Sequence, residues 1–87
     1  MVIYDELNIG DTIHYDWVKD SESYSNFYGT VINFEGSDTY YRHYVHVRIN
    51  SIIETSYPIE ISDEKKFTRA AEKVISLVKK KQPLKLF

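Results

Sequence analysis

Cysteine is absent from this sequence of 87 residues. Its absence excludes disulfides, thiolate metal ligands and a cysteine nucleophile. Small secreted domains ordinarily depend on disulfide staples. A cysteine-free chain whose Met1 is followed by Val-Ile-Tyr-Asp-Glu, without a signal-like pattern, is therefore expected in the cytoplasm. No apolar run approaches the roughly 20 residues of a membrane span. Glycine is scarce as well: Gly10, Gly29 and Gly36 stand apart. That spacing leaves no phosphate-cradling loop and no Gly-x-Ser-x-Gly elbow.

What is present describes an ordinary folded domain. Hydrophobic residues make up 43% and charged residues 28%, enough apolar material to avoid disorder. The length fits one domain over residues 1–87, which buries only about 60–65% of its unfolded surface and has little material for a deep cleft. Tyrosine is over-represented, with eight copies. Aromatic rings suit pleated strands and also furnish contact surface at interfaces. The net charge of −2 conceals a split: residues 1–62 carry ten acids and three bases (net −7), whereas residues 63–87 carry three acids and eight bases (net +5). Such a split points either to a charged partner or to attraction within the fold.

Residues 12–18 alternate Ile13, Tyr15 and Trp17 with Thr12, His14 and Asp16, the pattern of a half-buried strand. Residues 19–26 are polar and read as a loop. A second strand covers 27–34, with Gly29 marking a bulge or bend, and Glu35-Gly36-Ser37-Asp38 reads as a hairpin connection. Residues 40–49 form a third strand, with His43, Val45, Val47 and Ile49 on one face and Arg42, Tyr44, His46 and Arg48 on the other. Asn50-Ser51 breaks the run. Ile52–Glu54 then reads as a fourth strand and residues 57–61 as a fifth, which Pro58 confines to an edge. The β part occupies residues 1–61.

The period then changes. Phe67, Ala70, Ala71, Val74, Ile75 and Val78 recur at helical spacing. Ser62 stands at the N-cap, acids follow it, and Lys79, Lys80 and Lys81 close the stretch before Pro83. The expectation is an amphipathic helix over 63–81, a tail over 82–87 and an α+β class. The pattern Gly10-Asp11-x-Ile13-x-Tyr15 with Tyr28-Gly29-x-Val31 resembles SH3-like barrels over residues 9–50. It implies a small antiparallel β-barrel or curled sheet of about five strands. That architecture hosts many functions and assigns none.

The histidines do not build a metal site, because His43 and His46 point to opposite faces of one strand. His14 and Asp16 share a face without a nucleophile, so no catalytic residue, cofactor or enzymatic role is expected. Arg42, Tyr44, His46 and Arg48 alternate basic and aromatic groups, a pattern that could grip phosphates while stacking on bases, or meet a protein partner. The end of the chain reads Gln82-Pro83-Leu84-Lys85-Leu86-Phe87. It resembles the short motif with which bacterial replication and repair proteins dock on the DNA polymerase sliding clamp. The resemblance implies that Gln82 hydrogen-bonds at one subsite while Leu84, Leu86 and Phe87 fill an apolar pocket. Pro83 departs from the common form, in which leucine follows glutamine directly.

These features describe a small non-enzymatic interaction module, an accessory protein of DNA metabolism encoded by a phage or other mobile element. Two alternatives stay open. The acidic β part could mimic nucleic acid and block a host enzyme, or the barrel itself could bind nucleic acid.

Overall fold

The computed structural model describes residues 4–36 and 42–80. The alternation around Ile13 becomes β1 (Thr12–Asp20). Residues 19–26, expected as a loop, belong instead to the end of β1, a turn at Ser21-Glu22 and the start of β2 (Ser23–Gly36). Polar side chains make this possible, because they bond the backbone locally and across strands. Asp20 Oδ1 accepts the Glu22 N–H (2.9 Å), and Ser56 Oγ accepts the Tyr24 N–H (2.9 Å).

The third and fourth expected strands are one strand, β3 (Arg42–Thr55). Asn50-Ser51 does not break it. The register passes from Ser51 opposite Tyr28 to Ile49 opposite Gly29, leaving Asn50 as a bulge residue whose amide donates to Thr30 Oγ1 (2.8 Å). Gly29 belongs there because backbone and side chain crowd it. A Cβ at that position would run into Val47 Cγ1 and lie 2.9 Å from the Arg48 carbonyl oxygen. The expected strand over 57–61 is absent, and those residues cross from β3 to the next strand.

The expected helix over 63–81 is overturned, and with it the α+β class. Residues 64–79 form β4 (Glu64–Thr68), a 3-10 turn (Arg69–Lys73) and β5 (Ile75–Lys79). Ser62 is not a cap: its φ of 77° puts it in the left-handed region, within a turn closed by the Asp63 N–H on the Glu60 carbonyl (3.1 Å), and Ile49 of β3 donates its N–H to the Asp63 carbonyl (2.8 Å). Two physical effects favour strands here. Thr68, Val74, Ile75 and Val78 are β-branched and lose side-chain freedom in a helix. The edges of β3 and β1 also present backbone groups that need partners. β4 supplies them to β3, and β5 to β1.

The described residues therefore form an all-β, five-stranded antiparallel sheet in the order β4-β3-β2-β1-β5. They include no α-helix, and β4 and β5 are not paired, so no closed barrel forms among them. The curled-sheet part of the expectation stands. A flat sheet of this kind would separate its edges by about 19 Å, yet the 3-10 turn joining them rises only about 10 Å. The curl wraps Ile13, Phe27, Val31, Val45, Val47, Ile49 and Ile75 into one core, closed at one end by Leu7. Leu7 follows a first 3-10 turn (Tyr4–Glu6), and its approach is fixed at Gly10 (φ 97°), whose N–H donates to the Val31 carbonyl (2.8 Å). The hairpin connection after Gly36 and the tail 82–87 lie outside the described residues.

Candidate binding groove

One stretch of the inner face is aromatic. Tyr15 of β1 stacks on Phe27 of β2 (ring centroids 5.1 Å apart) and on Phe67 of β4 (4.6 Å). Such offset pairs stabilise by roughly 0.5–1.5 kcal/mol beyond area burial. Above this stack opens a groove of about 420 Å³. Its walls are Trp17 of β1, Phe67 of β4, and Ala71 and Val74 of the second 3-10 turn and its exit; Lys66 and Lys73 stand at the rim. The strand period that buries Ile13 also places Tyr15 and Trp17 on this inner face. The 3-10 turn with its small alanines keeps the mouth open.

Hydroxyl groups collect beside the stack. Buried Ser25 hydrogen-bonds the Tyr57 phenol through its Oγ. Burial raises the Tyr15 phenol above its ordinary pKa, and the neighbouring Tyr57 adds to that rise.

Three of the four residues singled out by the strand pattern on β3 are engaged within the fold, and a register shift between Tyr44 and Arg42 interrupts the alternation that put Arg42 on the same face as the others. Arg42 Nη1 donates to the Leu7 carbonyl (2.7 Å), and its guanidinium lies 3.9 Å above the Phe34 ring. Tyr44 lies beneath Lys66 Nζ (4.5 Å). His46 Nε2 sits 3.1 Å from Glu35 Oε1, within ion-pair distance but off the line of a hydrogen bond. Arg48 is exposed, opposite Thr30 of β2 and Glu64 of β4. His14 stacks on Tyr28 (4.8 Å) and hydrogen-bonds Asn26 Oδ1 through Nε2 (2.5 Å), also on the outer face. Among the described residues no group of three or more His, Asp or Glu is placed to hold a metal ion. Gln82, Leu84, Leu86 and Phe87 lie outside the described residues.

The groove itself was missed by sequence reasoning. Its signals were present in the inner-face alternation Tyr15, Trp17 and in Phe67, but assigning 63–81 to a helix left β1 and β4 unconnected. Comparison of the chain with protein-family models, curated proteins and solved structures finds no match.

Proposed function

We propose that this chain is a small non-catalytic protein-interaction module that takes a segment of a partner protein into the groove between β1, β4 and the second 3-10 turn. The observation that carries the reading is an open hollow floored by stacked aromatic rings and rimmed by polar groups, the composition of a peptide-binding surface.

Nucleic acid receives less support from the same geometry. Phosphate binding draws on several uncommitted cations. Of the cations around the groove, Lys66 already lies 3.6 Å from Glu35 and nearby Arg69 3.4 Å from Asp5, which leaves Lys73 and Lys19 as the ones without an ion pair among the described residues. On β3 Arg42 is engaged with Leu7 and Phe34. Docking of residues 82–87 on a sliding clamp remains a separate reading carried by the sequence likeness; a chain ending at Lys80 separates it from any binding in the groove.

Trp17 is the only tryptophan in the chain, so its fluorescence reports on this site. A random-peptide library is selected on the full chain, and enriched peptides are titrated against Trp17 emission. The expected result is a shift on binding that Ala70→Arg, at the exposed rim, weakens at least tenfold, equivalent to about 1.4 kcal/mol. Peptides that bind Ala70→Arg unchanged, or leave Trp17 silent, would place the binding surface elsewhere.

A further inference from the structure

The groove continues into an unpaired stretch of β1. β5 pairs with β1 only over Thr12–Tyr15, followed by one further bond from the Asp16 N–H to the Val74 carbonyl (3.0 Å). At Val74 the chain turns away into the 3-10 turn, while β1 runs on to Asp20. Alternate residues of a strand direct their backbone groups to the same edge. Val18, two residues after Asp16, therefore aims its N–H and C=O at the edge that β5 has left. The register with β2 stays regular up to Val18, the extra residue being Lys19, so the alternation reaches this position. Among the described residues no strand pairs there. Among the described residues Val18 is also the most exposed of the large apolar ones, at 67%. An uncovered strand edge of this kind is a template for a further strand.

The two features adjoin. Trp17 lines the groove, and Val18 next to it presents the open edge. A strand laid along this edge in line with β5 would pass over the groove mouth and lower alternate side chains toward the Tyr15–Phe67 stack. Charge selects its flanks. Lys73 at the rim and Lys19 beside the edge are exposed and form no ion pair among the described residues, while exposed Asp16 and Asp20 stand two residues either side of Val18, so an incoming carboxylate belongs at the groove rim against Lys73 rather than along β1 itself.

We infer that the module reads its partner by strand addition: an extended, acidic segment pairs with β1 at Val18, seats one aromatic or large aliphatic side chain in the groove, and sets a carboxylate against Lys73. This rests on the groove reading above and specifies its mode and partner chemistry.

The same random-peptide library tests it. Enriched peptides should carry Asp or Glu near a single large apolar residue. Val18→Pro removes one N–H while leaving the β1–β2 ladder intact, because that N–H faces away from β2. It should weaken binding about fivefold, the effect of one lost hydrogen bond, whereas Val18→Thr should bind as the parent does. Lys73→Glu should weaken binding about threefold at low salt. Amide exchange supplies a readout in the unmodified chain: the Val18 amide should slow on peptide binding.

Each contrary result has a definite meaning. If Ala70→Arg abolishes binding but Val18→Pro does not, and the Val18 amide exchanges as before, the groove binds peptide and strand addition is wrong. If enriched peptides are basic, or single-stranded oligothymidylate displaces them from the groove, the acidic-segment assignment is overturned. If nothing is enriched, or neither variant matters, the groove reading falls with it.

Discussion

Tyr15 joins the core to the groove, and its ionisation makes that link measurable. Its phenol is raised above the ordinary tyrosine range, first by burial and then by Tyr57. The folded state thus holds the proton more tightly than the unfolded chain. The associated stability is complete below the unfolded tyrosine value of about 10 and is lost as pH rises through the folded one. Urea midpoints should accordingly fall more steeply above about pH 10 for the parent than for Tyr15→Phe. Equal slopes would show that Tyr15 titrates no differently in the two states. The inward positions of β1 were legible one residue at a time, since Ile13, Tyr15 and Trp17 need only a period of two. The fate of the outer β3 residues was not. Alternation placed Arg42 on that face, but its bond to the Leu7 carbonyl joins residues far apart in sequence, which no local pattern encodes.

Among the elements, β5 shows how one apolar pattern serves two geometries. Phe67, Ala71 and Ile75 recur every four residues, as on one face of a helix. In the fold Ile75 is 2% exposed, and Phe67 and Ala71 pack on the same core, but from a strand, a turn and another strand. A strand of period two, a 3-10 turn of period three and a second strand can mimic a period near 3.6 over so short a stretch. Ile75→Ala should cost about 2–4 kcal/mol by leaving a cavity in the core beside Tyr15, its partner across β1 and β5. Val78→Ala, at a position 53% exposed, should stay within about 0.5 kcal/mol. Chemical denaturation of both variants checks the contrast; equal costs would contradict the strand assignment. The first three strands were visible in outline. The uninterrupted run of β3 was not, because its bulge at Asn50 looks like a stop when only side-chain types are read.

For the molecule as a whole, the charge split is answered partly inside the fold. The basic final third supplies both edge strands and the turn between them, and three of its cations meet acids of the first half: Arg69 with Asp5, Lys66 with Glu35, and Lys80 with buried Asp11 (3.5 Å). The sequence revealed the imbalance but not which cations are paired, since that depends on how the edges approach. Sodium chloride raised to about 0.5 M should lower stability by up to about 1 kcal/mol, most of it through the exposed pairs. Lys66→Gln, which removes the most exposed of these pairs, should blunt that response, whereas a salt-independent midpoint would mean the pairs contribute nothing. The pairing of β5 with β1 brings together the last and first strands of the described chain. Contacts so distant in sequence slow folding, because the chain must close its longest loop before they form. During synthesis, β1 to β4 emerge before the strand that covers Ile13. Until residues 75–79 arrive, the nascent sheet carries a bare first strand, and a stalled or truncated product would be the form most prone to aggregate.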